Sequence, residues 1–225
     1  NYDTSTVNVM FYCNSISATY NGGANTVALN QNYTFAELSG GVTVNNYDGG
    51  LMYVALGNEL TNGRGVTQPS PGASPDPDYN TRWNNVEITV TPPSGKNGDV
   101  ADITGINLYA IPLKLQAVLS SVNQESVKYN ISGDAFKDKL GAITNNDPTA
   151  VLKDASGNFL RVLGPTSYAA GTSGKYPLLD DYVTAVKDQT VQLAGQFSGN
   201  GSTARKTTQT YAFATTFNAN GDAVL

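Results

Sequence analysis

Five of the chain's 18 acidic residues, Asp76, Asp78, Glu87, Asp99 and Asp102, fall in one stretch that also holds Trp83, the only tryptophan. Carboxylates near an aromatic platform suit sugar binding and glycosidic cleavage, in which one acid protonates the leaving oxygen and a second carboxylate acts from the opposite side. The plain structural alternative is that Asp76, Asp78, Asp99 and Asp102 solvate turns and that Trp83 plugs the edge of a core. Glu87 stands apart, because glutamate is not favoured inside a strand. In Val86-Glu87-Ile88-Thr89-Val90-Thr91 the β-branched apolar residues share one face, and Glu87, Thr89 and Thr91 share the other. Its structural reading is a strand residue turned to solvent.

Composition removes many other chemistries. With no histidine among 225 residues there is no Ser-His-Asp or Cys-His triad, no imidazole-held zinc and no histidine-ligated haem. The single cysteine, Cys13, cannot form an intrachain disulfide, a CxxC pair or a cysteine-ligated metal site. It follows a strand-like run and reads as a small buried side chain. Asp76 and Asp78 lack the spacing of a calcium loop, and Asp180-Asp181 suits the start of a helix; no metal or cofactor is expected.

Charge and hydropathy narrow the partners. Only 14% of residues are charged, the net charge is −5 and the pI is about 4.6, while Arg205-Lys206 is the only adjacent basic pair. A phosphate-backbone binder would concentrate Lys and Arg on one face, so nucleic acid is not expected. No apolar run is long enough to span a membrane. Low charge with abundant Asn, Thr, Gly and Tyr, and a first residue that is not Met, point to a processed, secreted chain. The sequons at Asn32, Asn130 and Asn200 occur at the chance level for such a composition and carry no argument.

The elements that must position these residues are mostly strands. Val7 to Tyr12, Val42 to Val44, Leu51 to Leu56, Val86 to Thr91, Ile106 to Ala110 and Leu113 to Leu119 show alternation or short apolar runs between turn residues. Thr67 to Asn80, with four prolines, reads as an irregular loop. The period then changes. Asp134 can cap a helix bearing Phe136, Leu140 and Ile143, and Pro177 can open a second bearing Leu178, Tyr182 and Val186. Phe159 to Leu163 lies between them as a strand, and Tyr211, Phe213, Thr215 and Phe217 alternate again. The chain is therefore expected to be mainly β, with a helix-containing α/β lobe inserted into an antiparallel core: residues 1–122 and 196–225 form the β core, and residues 123–195 the lobe.

Several short segments then resemble one family. Gln68-Pro69-Ser70-Pro71, Asp76-Pro77-Asp78-Tyr79-Asn80 and Val86-Glu87-Ile88-Thr89 resemble the stretch that leads into the catalytic glutamate of glycoside hydrolase family 64, the β-1,3-glucanases of the thaumatin-like superfamily. Gly49 to Gly57, Thr104 to Pro112, Phe159 to Pro165 and Leu179 to Val186 follow in the family's order, so the resemblance runs from about Val7 to Phe217. It implies a thaumatin-like antiparallel β-sandwich or barrel core with a small inserted α/β lobe, and a cleft for a β-1,3-glucan chain. It also implies Glu87 as general acid of an inverting reaction, with Thr89, Trp83, Asn107 and Tyr109 lining the sugar cleft.

The family's general base, an aspartate on the neighbouring strand, falls on Asn107. An amide cannot take the proton from an attacking water at neutral pH. Either Asp99 or Asp102 supplies that carboxylate, or hydrolysis is lost and glucan recognition remains. Against the family pattern the chain is divergent and truncated at both ends, lacking a strand before Val7 and a segment after Phe217. A missing strand would leave an open sheet edge able to pair with another chain. The alternative function is therefore a non-catalytic structural or adhesive subunit of an extracellular fibre or surface assembly.

Overall fold

The computed structural model describes residues 3–61, 72, 76–92, 99–103, 105, 107–119, 122–128, 132–164, 167, 190–198, 208–217 and 223–224, with backbone alone for 117–119, 122–128, 190–198, 208–217 and 223–224. The strands, in chain order, are β1 Val7–Tyr12, β2 Ser15–Tyr20, β3 Asn25–Thr26, β4 Asn32–Thr34, β5 Val42–Leu56, β6 Arg82–Val90, β7 Val100–Asp102, β8 Leu108–Tyr109, β9 Lys114–Leu119, β10 Val122–Lys128, β11 Val151–Lys153, β12 Phe159–Leu163, β13 Thr190–Ser198, β14 Thr208–Phe217 and β15 Ala223–Val224. Among the described residues one α-helix, α1, spans Gly133–Ile143. Contacts divide the chain into Asn1–Tyr176 and Pro177–Leu225. In the second unit β13, β14 and β15 form an antiparallel sheet.

The first unit is built on β5. Its first half pairs with β2 and its second half with β1, while β6 pairs along its other edge from Tyr47 to Leu56, all antiparallel. Sequence alternation predicts two strands here, yet the backbone runs on through Asp48-Gly49-Gly50. The break becomes a register shift between Tyr47 and Gly50. Gly49 takes a left-handed φ of 56°, which glycine adopts without steric cost. At Gly50 a Cβ would collide with the Tyr47 ring and the Cys13 side chain. The glycines thus let one strand bend and curl the sheet instead of ending it.

The two faces of this sheet are filled differently. Val9, Phe11, Ala18, Val27, Tyr33 and Tyr47 form one buried cluster, against which Ile88 and Val90 pack. Met10, Tyr53, Ala55, Leu60, Trp83, Leu108, Ala110 and Ile111 form the other. The outer strands β3, β4 and β7 have two or three residues each, so these edges offer few free ladder groups. β9 and β10 form a separate hairpin.

The helix-containing part begins with α1 and pairs β11, β12 and β8 into a small antiparallel sheet. Ser132, not Asp134, caps α1: its Oγ accepts from the Ala135 amide at 3.2 Å, and Asp134 lies in the first turn. Ile143, expected on the buried face, is 45% exposed. Most of the proline-rich loop and the helix expected from Pro177 lie outside the described residues. Among the described residues no helix is long and apolar enough to cross a membrane.

Candidate active site

Along β6 the face that carries Glu87 passes from core to solvent. Trp83 is 2% exposed, Asn85 is buried, Glu87 is exposed and Thr89 is half-buried. Trp83 and its partner Ala55 pack in one cluster with Ala110 and Ile111. Glu87 lies farther along the strand, facing Leu51 of β5 on one side and Asp102 of β7 on the other. Asp102 is exposed as well. Directly opposed residues of an antiparallel pair share a face, with Cβ atoms about 4.5–5.5 Å apart. The ladder therefore sets two carboxylates side by side where apolar cover ends. Like charges directly opposed in a ladder repel, and exposure to water moderates that cost.

The other acids of this stretch serve the backbone. An Asp99 carboxylate oxygen accepts from the Thr91 amide at 3.0 Å and closes the connection between β6 and β7. Asp76 accepts from the Asp78 amide at 2.8 Å, and buried Asp78 accepts from the Thr61 amide at 2.7 Å. Such bonds are the usual work of aspartate in turns. Among the described residues no group of His, Cys, Asp and Glu could hold a metal ion.

Two expected cleft residues belong to the core instead. Trp83 meets Tyr53 edge to face at 5.5 Å, and the Arg161 guanidinium lies 5.3 Å from its ring. Tyr109 is 2% exposed, donates to the Gly133 carbonyl at 3.1 Å and packs against Phe136 at 4.6 Å. Neither ring offers a free face to a sugar. Each aromatic fills the junction between core and lobe, where its large apolar area is best removed from water. Asn107 is exposed in a bend before β8, and its carbonyl accepts from the Gly164 amide at 2.7 Å. The neighbouring strand of the large sheet is β7, so the residue that the ladder aligns with Glu87 is Asp102, not Asn107.

Two arginines that local sequence patterns do not single out tie the lobe to the base of β6. Arg161, fully buried in β12, donates to the carbonyls of Tyr79 at 2.9 Å and of Thr81. Burial lowers its pKa to about 10, so it remains charged at neutral pH. Arg82, at the start of β6, donates to the Ala110 carbonyl at 2.9 and 2.7 Å, with its guanidinium carbon 5.1 Å from the Phe159 ring. The available signal was a lone arginine within the apolar run Phe159 to Leu163, where an unpaired charge would be costly to bury.

A curled antiparallel β core with an exposed carboxylate pair at the edge of its apolar cover defines the architecture. The chain belongs to glycoside hydrolase family 64, the β-1,3-glucanases, whose family model matches residues 5–216. It is similar to the crystal structure of a laminaripentaose-producing β-1,3-glucanase in complex with laminaritetraose, at 16% identity and a TM-score of 0.54, covering 82% of this chain and 56% of that one. A family 64 laminaripentaose-producing enzyme from Paenibacillus barengoltzii is similar at 15% identity and a TM-score of 0.53, covering 80% and 50%. A β-1,3-glucanase domain from Clostridium beijerinckii is similar at 14% and 0.53, covering 83% and 57%. This chain thus spans about half the length of these solved relatives, and at such identity the likeness is one of fold. No curated protein sequence matches the chain.

Proposed function

We propose that this protein is a secreted β-1,3-glucan-recognising hydrolase in which Glu87 is the general acid and Asp102 the general base of an inverting reaction. The observation that carries this reading is the direct pairing of Glu87 with Asp102 across β6 and β7, both exposed, in a chain of family 64. Solved relatives that share the fold are described as producing laminaripentaose or binding laminaritetraose, which supports a β-1,3-glucan substrate.

In the reaction the Glu87 carboxyl gives its proton to the leaving glycosidic oxygen as the bond to the anomeric carbon breaks. Asp102 takes a proton from a water that attacks the same carbon on the opposite face. Inversion requires carboxyl groups about 6.5–9.5 Å apart. Opposed Cβ atoms start closer than that, but the longer Glu87 side chain can lean away from Asp102 and leave room for water. Thr89, on the same face of β6, lies beside the pair as a hydroxyl donor.

Incubation with laminarin, following new reducing ends, tests the reading. Wild-type protein is expected to release them, and Glu87→Gln and Asp102→Asn each to lower the rate by about 10²–10⁴-fold, the span of general acid–base catalysis. Asn107→Asp is expected to leave the rate unchanged. Equal rates from wild type and Glu87→Gln, or no reducing ends at all, sink the enzyme reading. Recovery of the protein from the medium of its native cells checks the secreted location.

A further inference from the structure

Asn85 stands one step inward of Glu87 on the same face of β6, between it and Trp83. It is 8% exposed, and its partner across the ladder is the buried Tyr53 of β5. A polar side chain buried to that degree is normally tied to the fold, because an amide taken from water without partners costs free energy. The neighbouring asparagine follows that rule in part: Asn84, on the other face of the strand, donates through Nδ2 to the Ile111 carbonyl at 3.2 Å.

Asn85 does not. Among the described residues its carboxamide has no hydrogen-bond partner. Nor is that carboxamide sealed in: Asn84 Oδ1 and Trp83 Nε1 are enclosed and unpaired, whereas both polar atoms of Asn85 keep contact with solvent. What this buried residue shows to water therefore includes its amide. The strand puts it on the side of Glu87 and Asp102, with the buried Met10, Tyr53 and Trp83 forming the apolar cluster behind.

Geometry and chemistry limit what the amide can meet. Residues two apart on a strand are separated by about 6.5–7 Å, so a group lying between the Asn85 amide and the Glu87 carboxyl can touch both. An apolar ligand would leave the amide unpaired, and an anion would be repelled by the two carboxylates. A carboxamide offers a donor and an acceptor, and a hydroxyl can answer either. A neutral, hydroxyl-bearing sugar ring satisfies all three groups.

We propose that Asn85 is a substrate-binding residue, pairing through its carboxamide with a ring hydroxyl of the glucan unit that lies over Glu87; this rests on the reading of Glu87 and Asp102 as the glucan site. A titration of the full chain carrying Glu87→Gln with laminarihexaose tests it without turnover. The side-chain amide resonance of Asn85 in isotope-labelled protein is expected to shift on binding. Adding Asn85→Asp, which keeps the shape and removes the donor, or Asn85→Leu, which removes donor and acceptor, is expected to weaken binding about tenfold or more, as for one or two lost hydrogen bonds at a buried group. Binding with no shift at the Asn85 side chain, or with equal affinity in both added variants, overturns the inference and leaves the glucan reading standing. Absence of binding to Glu87→Gln overturns both. Binding that depends on Asn85, with no reducing ends released from laminarin by wild type, supports the inference and removes only the hydrolase.

Discussion

At the residue scale, Glu87 and Asp102 meet as an exposed pair across β6 and β7. Alternation over six residues says that Glu87 points away from Val86, Ile88 and Val90, and it is exposed while Ile88 and Val90 pack in the core. Which acid lies opposite depends on the register between β6 and β7, which no local pattern contains. The resemblance places the base position on Asn107 with Asp99 or Asp102 as its replacement, and the ladder aligns Asp102. Trp83 was ambiguous for a related reason, since an aromatic beside carboxylates suits a cleft or a core equally and only tertiary packing decides. Cys13 is half-buried, and its thiol donates to the Ser15 carbonyl at 3.1 Å. Burial pushes its pKa above the ordinary thiol value, so less thiolate is present at any pH near neutrality. Iodoacetamide should therefore label Cys13 more slowly than a model thiol at pH 8. The rate should still be climbing at pH values where the model thiol has levelled off. A labelling rate equal to that of the model thiol across this range would contradict the raised value.

At the element scale, the strands were found where short-range signals are strong. β1 and β12 match the expected Val7 to Tyr12 and Phe159 to Leu163. Asp48-Gly49-Gly50 has the composition of a turn, and local signals alone split β5 into two strands. Pairing on both sides overrides that local preference, as tertiary context often does. The helix start shifted for a similar reason: Ser132 and Asp134 are both capping types, and the backbone geometry selects Ser132. Gly50 lies at the bend of β5, with Tyr47 and Cys13 crowded against it. Gly50→Ala should cost about 2 kcal/mol or more, in the range of overpacked cores, seen as a lower midpoint in urea unfolding with an unchanged slope. A midpoint equal to wild type would mean that the ring of Tyr47 moves aside without penalty.

At the scale of the whole molecule, the architecture followed from the order of β and helical segments, but the ties between core and lobe did not. Arg161 joins β12 to the turn before β6, and Arg82 joins β6 to the end of β8. Both are contacts between residues distant in sequence, made through backbone carbonyls that carry no residue-specific signal. Arg161→Met keeps much of the side-chain volume but leaves those buried carbonyls without their donor. It should destabilise the protein by about 3 kcal/mol, a shift that thermal unfolding would reveal. Loss below 1 kcal/mol would show that the carbonyls find other donors. β7 presents a different dependence. Asp102 is the last residue of a three-residue outer strand, held to the sheet through β6 alone among the described residues. Short outer strands open at a fraction of the free energy of global unfolding, so heating should separate Asp102 from Glu87 while the rest of the sheet is still folded. The glucan cleavage proposed for this pair should then fade several degrees below the melting transition and return on cooling. Reversible heat inactivation would be a property of one strand, and loss of both signals at one temperature would argue that β7 melts only with the whole.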